Sequence, residues 1–285
     1  MPAPSRYGSL LDALRGVTWP GRVPARGRST GIHRSTLLGT SPEFTAYRPY
    51  RQGDDPRRLD WKLLARSDRA YIRMTSDRAT MPTMVVCDAS ASMAFPPDTR
   101  GKWEQACRLA VGIAAVAHES ADPVGVLVAG AGEPRHLAPR TRRGVVAEIA
   151  RVLTDVVPSG DAPLAPAVAL TRDAQRLVLL TDLLGDVDDL LREAKARAMS
   201  GGEVHVVHIV ARAELEPAAP AITAVDPEQP MLRRALGEGT RASYDATFAA
   251  WREEMASRWR EARAAYAMVI DDESAERAVR RVVAP

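Results

Sequence analysis

The chain has 285 residues, of which 46% are hydrophobic and 26% are charged, a composition typical of a soluble globular protein. No apolar run approaches the ~20 residues that a membrane helix needs, the N-terminus lacks the apolar core of a secretory signal, and two cysteines cannot form a disulfide framework. The net charge of +3 combines a basic segment at residues 1–80 with an acidic remainder, and we expect a cytoplasmic protein without membrane insertion.

The first 80 residues show no regular alternation of elements. Residues 1–30 are rich in Gly, Pro and Arg and predict a flexible, loosely held lead-in. Residues 31–80 contain short polar and aromatic stretches, with one strand expected at residues 71–74, and indicate a small irregular N-terminal subdomain. Because its arginines are interleaved with aspartates, we favour ion pairs within the protein over a nucleic-acid-binding surface.

Strands and helices alternate regularly in residues 81–285. Nearly all-apolar runs predict buried strands at residues 84–88, 124–129, 177–182 and 204–210, with an edge strand at 135–137. Apolar residues at helical spacing predict helices at residues 102–120, 145–156, 164–171 and 190–200. This alternation indicates an α/β fold with a Rossmann-like, mostly parallel sheet and helices on both faces.

The last part of the chain contains a long connection and an aromatic helix. Residues 213–240 are rich in Pro and Glu and predict the connection. Aromatic residues at helical spacing then predict an amphipathic helix over residues 243–266, followed by a strand at 267–270 and a helix at 273–283. We expect the aromatic stripe to face the core, with partner binding as the alternative.

Oxygen-bearing side chains follow two of the predicted buried strands. Asp88, Ser90 and Ser92 follow the first strand, and Asp182 ends the third. The carboxyl ends of parallel strands meet at one edge of a sheet, where ligands commonly bind. Carboxylate and hydroxyl oxygens are hard ligands that suit Mg²⁺ or Mn²⁺. The pattern favours a metal site, although Asp and Ser also end strands and cap helices for structural reasons alone.

A metal-dependent phosphohydrolase of the haloacid-dehalogenase type is the main enzymatic alternative. Asp88 occupies the place of its nucleophile, and Gly185 and Asp186 with Asp189 resemble its acidic magnesium motif. However, Ser90 stands where that chemistry needs a carboxylic acid to protonate the leaving group, and we find no suitably placed lysine. The sequence also lacks a serine-hydrolase elbow and a P-loop. We therefore expect a protein without catalytic residues.

Two sequence patterns resemble known families. Residues 88–93 with Lys102 and residues 181–182 resemble a von Willebrand factor A domain with its metal-ion-dependent adhesion site, or MIDAS. The long run at residues 48–61 resembles the bacterial DUF58 family. The resemblance implies a Rossmann-like sheet with a metal site at its top. It also implies a protein-binding adaptor that assists a MoxR-type AAA+ ATPase in assembling or remodelling other proteins.

The family's ligand set transfers to this sequence with one departure. In the family, an Asp, two Ser, a Thr and a further Asp hold the ion, which implies Asp88, Ser90, Ser92 and Asp182 here. Ala162 occupies the position expected for the Thr, and Asp161 is adjacent to it. Either the metal is held weakly or Asp161 supplies the missing ligand. A metal-free scaffold with a vestigial site is a further alternative.

The motif upstream of the sheet domain carries alternating charges without evident catalytic chemistry. Its members are Arg48, Arg51, Asp54, Asp55, Arg57, Asp60, Trp61 and Arg66. Two interpretations stay open, a salt-bridged clamp that fixes the N-terminal subdomain to the sheet domain, and a docking surface for the ATPase. Both interpretations treat Trp61 as a buried anchor.

Overall fold

The structure is a computed structural model that describes residues 6–25, 30–52, 54–130, 132–161, 163–217, 223–225, 231, 233–235 and 240–284. Its strands in chain order are β1 (Thr30–Pro49), β2 (Tyr71–Ala79), β3 (Thr83–Ala89), β4 (Val124–Gly130), β5 (Arg135–Arg140), β6 (Arg176–Thr181), β7 (Glu203–Val210), β8 (Thr223–Val225), β9 (Arg233–Ala235) and β10 (Ala265–Ile270). The α-helices are α1 (Gly8–Ala13), α2 (Trp61–Ser67), α3 (Gly101–Glu119), α4 (Val145–Thr154), α5 (Leu164–Ala169), α6 (Val187–Met199), α7 (Arg212–Leu215), α8 (Thr240–Glu261) and α9 (Ala275–Val283). Short 3-10 helices lie at Pro56–Arg58 and Ala91–Ala94.

Six of these strands form the central sheet, in the order β10-β7-β6-β3-β4-β5. Five of them run parallel, and β5 pairs antiparallel with β4 at one edge. Every residue of β3, β6 and β7 is buried, as expected for a parallel sheet covered on both faces. The predicted α/β fold with a mostly parallel sheet is confirmed.

The sheet has a separate apolar core on each face, because successive side chains of a strand point in opposite directions. On one face, Val85 and Cys87 of β3 pack among residues of α3, α4 and α9. On the other face, Met84 and Val86 pack among residues of α5, α6 and α8. Both cysteines of the chain are buried and free, as predicted.

The aromatic helix ends earlier than the sequence predicted. Arg263 has a positive φ of 62°, and the amide of Ala264 donates to the carbonyl oxygen of Trp259, so the helix stops before Tyr266. Tyr266 therefore lies in β10. Trp259 is fully buried, which confirms the core role for this part of the stripe, whereas Phe248 is only half-buried. The predicted connection at residues 213–240 lies largely outside the described residues.

The N-terminal block is dominated by a ribbon in which β1 pairs antiparallel with β2. The pairing contains several register shifts. Each shift interrupts the alternation of side chains between the two faces of the ribbon, so the sequence lacks a regular strand pattern here. Between the two strands lies α2, whose N-terminal amides at Lys62 and Leu63 donate to the carboxylate of Asp60. The block predicted as an irregular subdomain thus contains one long ribbon whose partner strands are separated by the polar motif.

The loosely held lead-in expected at residues 1–30 is wrong for residues 7–25, which are anchored to the sheet domain by several buried side chains. Leu14 and Trp19 are each 1% exposed, and α1 packs against α3 and α9. The guanidinium of Arg280 in α9 donates to the carbonyl oxygen of Ala13 at 2.6 Å. This packing could not be predicted from the sequence, because the contacts join residues that are about a hundred or more positions apart.

A basal ion cluster, formed by Arg176, Glu203 and Asp122, lies at the amino ends of the sheet strands. The Nε of the fully buried Arg176 donates to Glu203 Oε2 at 2.9 Å, and its Nη1 donates to Asp122 Oδ2 at 3.4 Å. The ring of Trp19 lies 4.0 Å from the guanidinium carbon, an arrangement that favours cation–π attraction. Burial opposes ionisation of Glu203, but His205 and Arg176 lower the pKa of this carboxyl to about 2.

The basal ion cluster also holds the N-terminal segment and the ribbon against the sheet. The amide of Val23 donates to Glu203 Oε1 at 2.9 Å. His33 Nε2 lies 2.7 Å from Asp122 Oδ2, while its Nδ1 accepts from the amide of Gly21 at 3.0 Å. Because Nδ1 accepts, the proton is on Nε2 and is donated to Asp122. Three segments distant in sequence therefore meet at one buried set of charges.

Candidate metal centre

The candidate site lies at the topological switch point of the sheet. The chain leaves β3 for β4 on one side, and it leaves the adjacent β6 for β7 on the other side. Such a point leaves a crevice beyond the carboxyl ends of the two strands, where α/β proteins bind ligands. Asp88 is near the end of β3 and Asp182 directly follows β6. The structure therefore places these two predicted residues at the same edge of the sheet.

The loop after β3 directs its oxygen atoms into this crevice. The amide of Ser90 donates to Asp88 Oδ1 at 2.9 Å, and the hydroxyls of Ser90 and Ser92 lie 3.0 Å apart. Thr181, the last residue of β6, donates its hydroxyl proton to Asp88 Oδ2 at 2.7 Å. All four side chains are buried. Thr181 was not among the predicted ligands, although its position before Asp182 could have indicated it.

The charge of Asp88 is poorly compensated. Burial and the nearby carboxylate of Asp182 raise the pKa of Asp88 to about 7, although hydrogen bonds from Ser90 and Thr181 act in the opposite direction. Among the described residues, ion pairs engage Asp182 but not Asp88. A bound cation would stabilise the ionised form of Asp88.

Lys102 lies in the first turn of α3, and its ammonium group reaches Asp182 at the end of β6. Its Nζ donates to Asp182 Oδ2 at 2.7 Å and to Glu214 Oε1 at 2.9 Å, and its side chain is 1% exposed. Burial lowers the pKa of Lys102, but Asp182 and Glu214 outweigh it and the pKa lies above its usual value. The packing of α3 brings Lys102 to Asp182 at the end of β6, 80 positions away in the sequence.

Asp161 lies at the rim of the site. It is exposed, and together with Asp88 and Ser90 it lines a cavity of about 20 Å³. The loop that carries it is held to the serine loop, since the amide of Ala91 donates to the carbonyl oxygen of Gly160 at 2.9 Å. A cavity of this size has room for about one water-sized group. The predicted role of Ala162 concerns a residue outside those that the structure describes.

The donor set fits a hard divalent cation. It consists of carboxylate and hydroxyl oxygens, which suit Mg²⁺ and Mn²⁺ better than zinc or copper. In the described parts of the chain, no group of three or more His, Cys, Asp or Glu side chains could hold a metal ion. Any cation at this site therefore depends on the hydroxyls of Ser90, Ser92 or Thr181 as well as on the carboxylates.

In the upstream motif, among the residues that the structure describes, the ion pair and the hydrogen bonds of the Asp54 and Asp55 carboxylates join residues close together in the sequence. Arg48 Nη2 donates to Asp54 Oδ1 at 2.8 Å, and Asp54 Oδ2 accepts from the amide of Arg51 at 2.8 Å. Asp55 accepts from the amide of Arg57 at the start of a 3-10 helix. These carboxylates stabilise turns within the motif. Among the described residues, the contact of His33 with Asp122 in the basal ion cluster joins the ribbon to the sheet domain.

Trp61 is not the predicted buried anchor. It is 63% exposed at the first position of α2, the helix that Asp60 caps. The arginines of the motif surround it in sequence and are also exposed, namely Arg51, Arg57 and Arg66. The motif thus presents an aromatic side chain and guanidinium groups at the surface.

The described helices include none that is both long and apolar enough to span a lipid bilayer.

Comparison with known proteins gives one family match over most of the chain. The model of DUF58, described as a protein of unknown function, matches residues 46–254. An uncharacterized protein of Mycobacterium tuberculosis is 28% identical over 188 residues, which are 63% of this chain and 59% of that protein. An uncharacterized protein of Mycobacterium bovis matches to the same extent. The chain thus spans 59% of the length of these relatives.

Solved structures to which the chain is similar share little sequence with it. The conserved hypothetical protein BatB from Bacteroides thetaiotaomicron is 19% identical with a TM-score of 0.45, covering 70% of this chain and 96% of BatB. Proximal thread matrix protein 1 from the mussel byssus, solved with a zinc-occupied MIDAS motif, is 16% identical with a TM-score of 0.37. That match covers 46% of this chain and 38% of the mussel protein.

Proposed function

This chain belongs to the DUF58 family, and from that premise we propose that it is a non-enzymatic, protein-binding adaptor with a divalent-cation site of the MIDAS type. One observation carries the proposal: Asp88, Ser90 and Thr181 line a cavity of about 20 Å³ at the switch point, and the hydroxyl of Ser92 lies 3.0 Å from that of Ser90. A cavity of that size suits an ion or a water molecule. A ligand would therefore meet the ion from outside, as a side chain on a partner's surface can.

The chain's own residues have distinct roles in this proposal. Asp88 supplies a buried carboxylate, and Ser90 and Ser92 supply hydroxyl oxygens for Mg²⁺ or Mn²⁺. Asp182 is engaged by Lys102 and acts through bound water or as an outer carboxylate. Asp161 at the rim adds negative charge, which reduces the attraction of the site for an acidic partner residue. When bound, the cation supplies open coordination positions to an incoming oxygen ligand.

A MoxR-type AAA+ ATPase is the partner that the family resemblance supports, with protein assembly or remodelling as the process. The exposed Trp61 and the neighbouring arginines suit a docking surface, since Trp and Arg are enriched among the residues that contribute most to protein–protein binding. This surface belongs to the run of residues 48–61 on which the resemblance to DUF58 was recognised.

Metal-dependent phosphohydrolysis is the second candidate, and the position of Lys102 is the observation that favours it. Against it, Ser90 cannot protonate a leaving group as a carboxylic acid does, and two carboxylates already engage the ammonium of Lys102. Incubation with Mg²⁺ and p-nitrophenyl phosphate separates the candidates. Turnover by the wild type that disappears in Asp88→Ala would favour the enzymatic function over the adaptor function.

Millimolar Mg²⁺ or Mn²⁺ is expected to raise the melting temperature of the full chain by roughly 5 °C, because a ligand bound only to the native state stabilises it. Differential scanning calorimetry measures the shift. The double variant Ser90→Ala with Ser92→Ala is expected to lose it. Ser120→Ala is the matched control, since Ser120 is a buried serine in which the hydroxyl bonds the carbonyl oxygen of Val116. An unchanged melting temperature in the wild type would favour the metal-free scaffold.

Trp61→Ala is expected to weaken binding to a purified MoxR-type ATPase from the same genome at least about tenfold, because an exposed tryptophan of a docking surface becomes buried in the complex. Isothermal titration calorimetry measures the affinity. Met199→Ala is the control, since Met199 is an exposed apolar residue on α6, outside the motif. Equal affinities of Trp61→Ala and wild type would remove the motif as the docking surface.

A further inference from the structure

The ammonium group of Lys102 is buried beside two carboxylates. An ammonium group that is 1% exposed is costly unless ion pairs and hydrogen bonds compensate it. Here Asp182 and Glu214 provide that compensation at 2.7 Å and 2.9 Å. One of these two partners, Asp182, is also a candidate ligand of the metal centre. The same carboxylate is therefore available to a bound cation and to the chain's own ammonium.

The carboxylates near Lys102 outnumber its single positive charge. Lys102 pairs with both Asp182 and Glu214, whereas Asp88 has no ion pair among the described residues. The carboxylate of Asp182 acts on Asp88 and, together with burial, raises its pKa. A divalent cation beside Asp88 would add positive charge where carboxylates are in excess.

The contacts of Lys102 also determine the position of Asp182. The Oδ2 atom of Asp182 accepts from Lys102, while its Oδ1 accepts from the amide of Leu184 at 3.3 Å. Both oxygens thus have partners from the chain itself, and a cation has to compete with the ammonium for this carboxylate. Removing the ammonium would free Asp182 for the cation.

Lys102 connects the candidate centre to the chain beyond β7. Glu214 lies in α7, and its Oε2 accepts from the amide of Ala211 at 2.7 Å. The hydroxyl of Tyr244 in α8 donates to the carbonyl oxygen of Glu214 at 3.0 Å. The ammonium therefore joins the start of α3, the end of β6 and the segment that leads towards α8.

We infer that Lys102 is a built-in counter-cation of the candidate metal centre, which lowers its affinity for divalent cations by holding Asp182 and Glu214. This inference deepens the proposed function and rests on the centre being a cation site. Lys102 acts as a positioning residue, since it acts on the cation through Asp182.

The test titrates the full chain with Mg²⁺ and with Mn²⁺ by isothermal titration calorimetry and records the melting temperature of each metal-free variant. Lys102→Met removes the ammonium and is expected to tighten cation binding by about tenfold while lowering the metal-free melting temperature. Lys102→Arg keeps the charge and is expected to bind cations with an affinity close to that of the wild type. Glu214→Gln keeps Lys102 but removes one negative charge, and is expected to bind cations more weakly.

The outcomes separate this inference from the proposed function. If the wild type binds no cation but Lys102→Met does, the inference stands and the proposed metal-dependent function fails. If Lys102→Met binds no more tightly than the wild type, or neither binds, the inference is overturned. If Lys102→Met does not fold, Glu214→Gln decides, because affinity equal to or above that of the wild type contradicts the counter-cation role.

Discussion

Arg176→Ala is expected to lower the free energy of unfolding by about 3–5 kcal/mol, because it leaves two buried carboxylates without their cation. Asp122 and Glu203 both lie in the basal ion cluster and are buried. The substitution also removes the guanidinium that the ring of Trp19 covers. Urea denaturation followed by circular dichroism measures the change. Arg176→Lys is expected to give an intermediate loss, since an ammonium lacks the planar fork that reaches both carboxylates.

The control for this prediction is an arginine with an exposed ion pair. Arg192 pairs with Asp189 within α6, and both side chains are largely exposed. Arg192→Ala is expected to change the free energy of unfolding by no more than about 0.5 kcal/mol. If Arg176→Ala cost as little as Arg192→Ala, the basal ion cluster would not hold the N-terminal segment and the ribbon to the sheet.

Trp19→Ala is expected to lower the free energy of unfolding by about 3–5 kcal/mol, the range for truncation of a fully buried aromatic side chain. The ring of Trp19 contacts the guanidinium of Arg176 and lies edge-on to His205 with ring centroids 5.0 Å apart. Its loss would leave a cavity between the N-terminal segment and the sheet. The same urea denaturation measures the loss.

Trp61→Ala is the matched control for Trp19→Ala, because it removes the same side chain from an exposed position. It is expected to change the free energy of unfolding by about 0.5 kcal/mol or less. The sequence alone suggested the reverse ranking, with Trp19 in a loose lead-in and Trp61 as an anchor. A larger loss for Trp61→Ala than for Trp19→Ala would contradict the packing of residues 7–25 described above.

The central sheet could be predicted from the sequence because its signal is local. A strand buried on both faces is a continuous apolar run, and β3, β6 and β7 each show one. Helices between such runs imply parallel connections, and parallel strands place their carboxyl ends together. The meeting of Asp88 and Asp182 at one edge follows from this order, and the structure confirms it.

Other parts of the site could not be predicted because they depend on side chains that meet across long stretches of chain. Lys102 and Glu214 are 112 positions apart, and their contact depends on where α3 and α7 begin relative to β6. The sequence contains no spacing between Lys102 and Glu214 that would indicate an ion pair between them. Thr181 was overlooked because a threonine at the end of an apolar strand is common without any ligand role.

The sequence by itself determined the alternation of strands and helices in the sheet domain, the mostly parallel sheet, the edge at which Asp88 and Asp182 lie, and the DUF58 resemblance. These properties depend on burial patterns and motifs that are read within a few residues. Only the tertiary structure decided that Leu14 and Trp19 are buried in the core, that Trp61 is exposed, and that Lys102 lies beside Asp182. The burial of one side chain, and the charge that compensates it, depend on residues about eighty or more positions away.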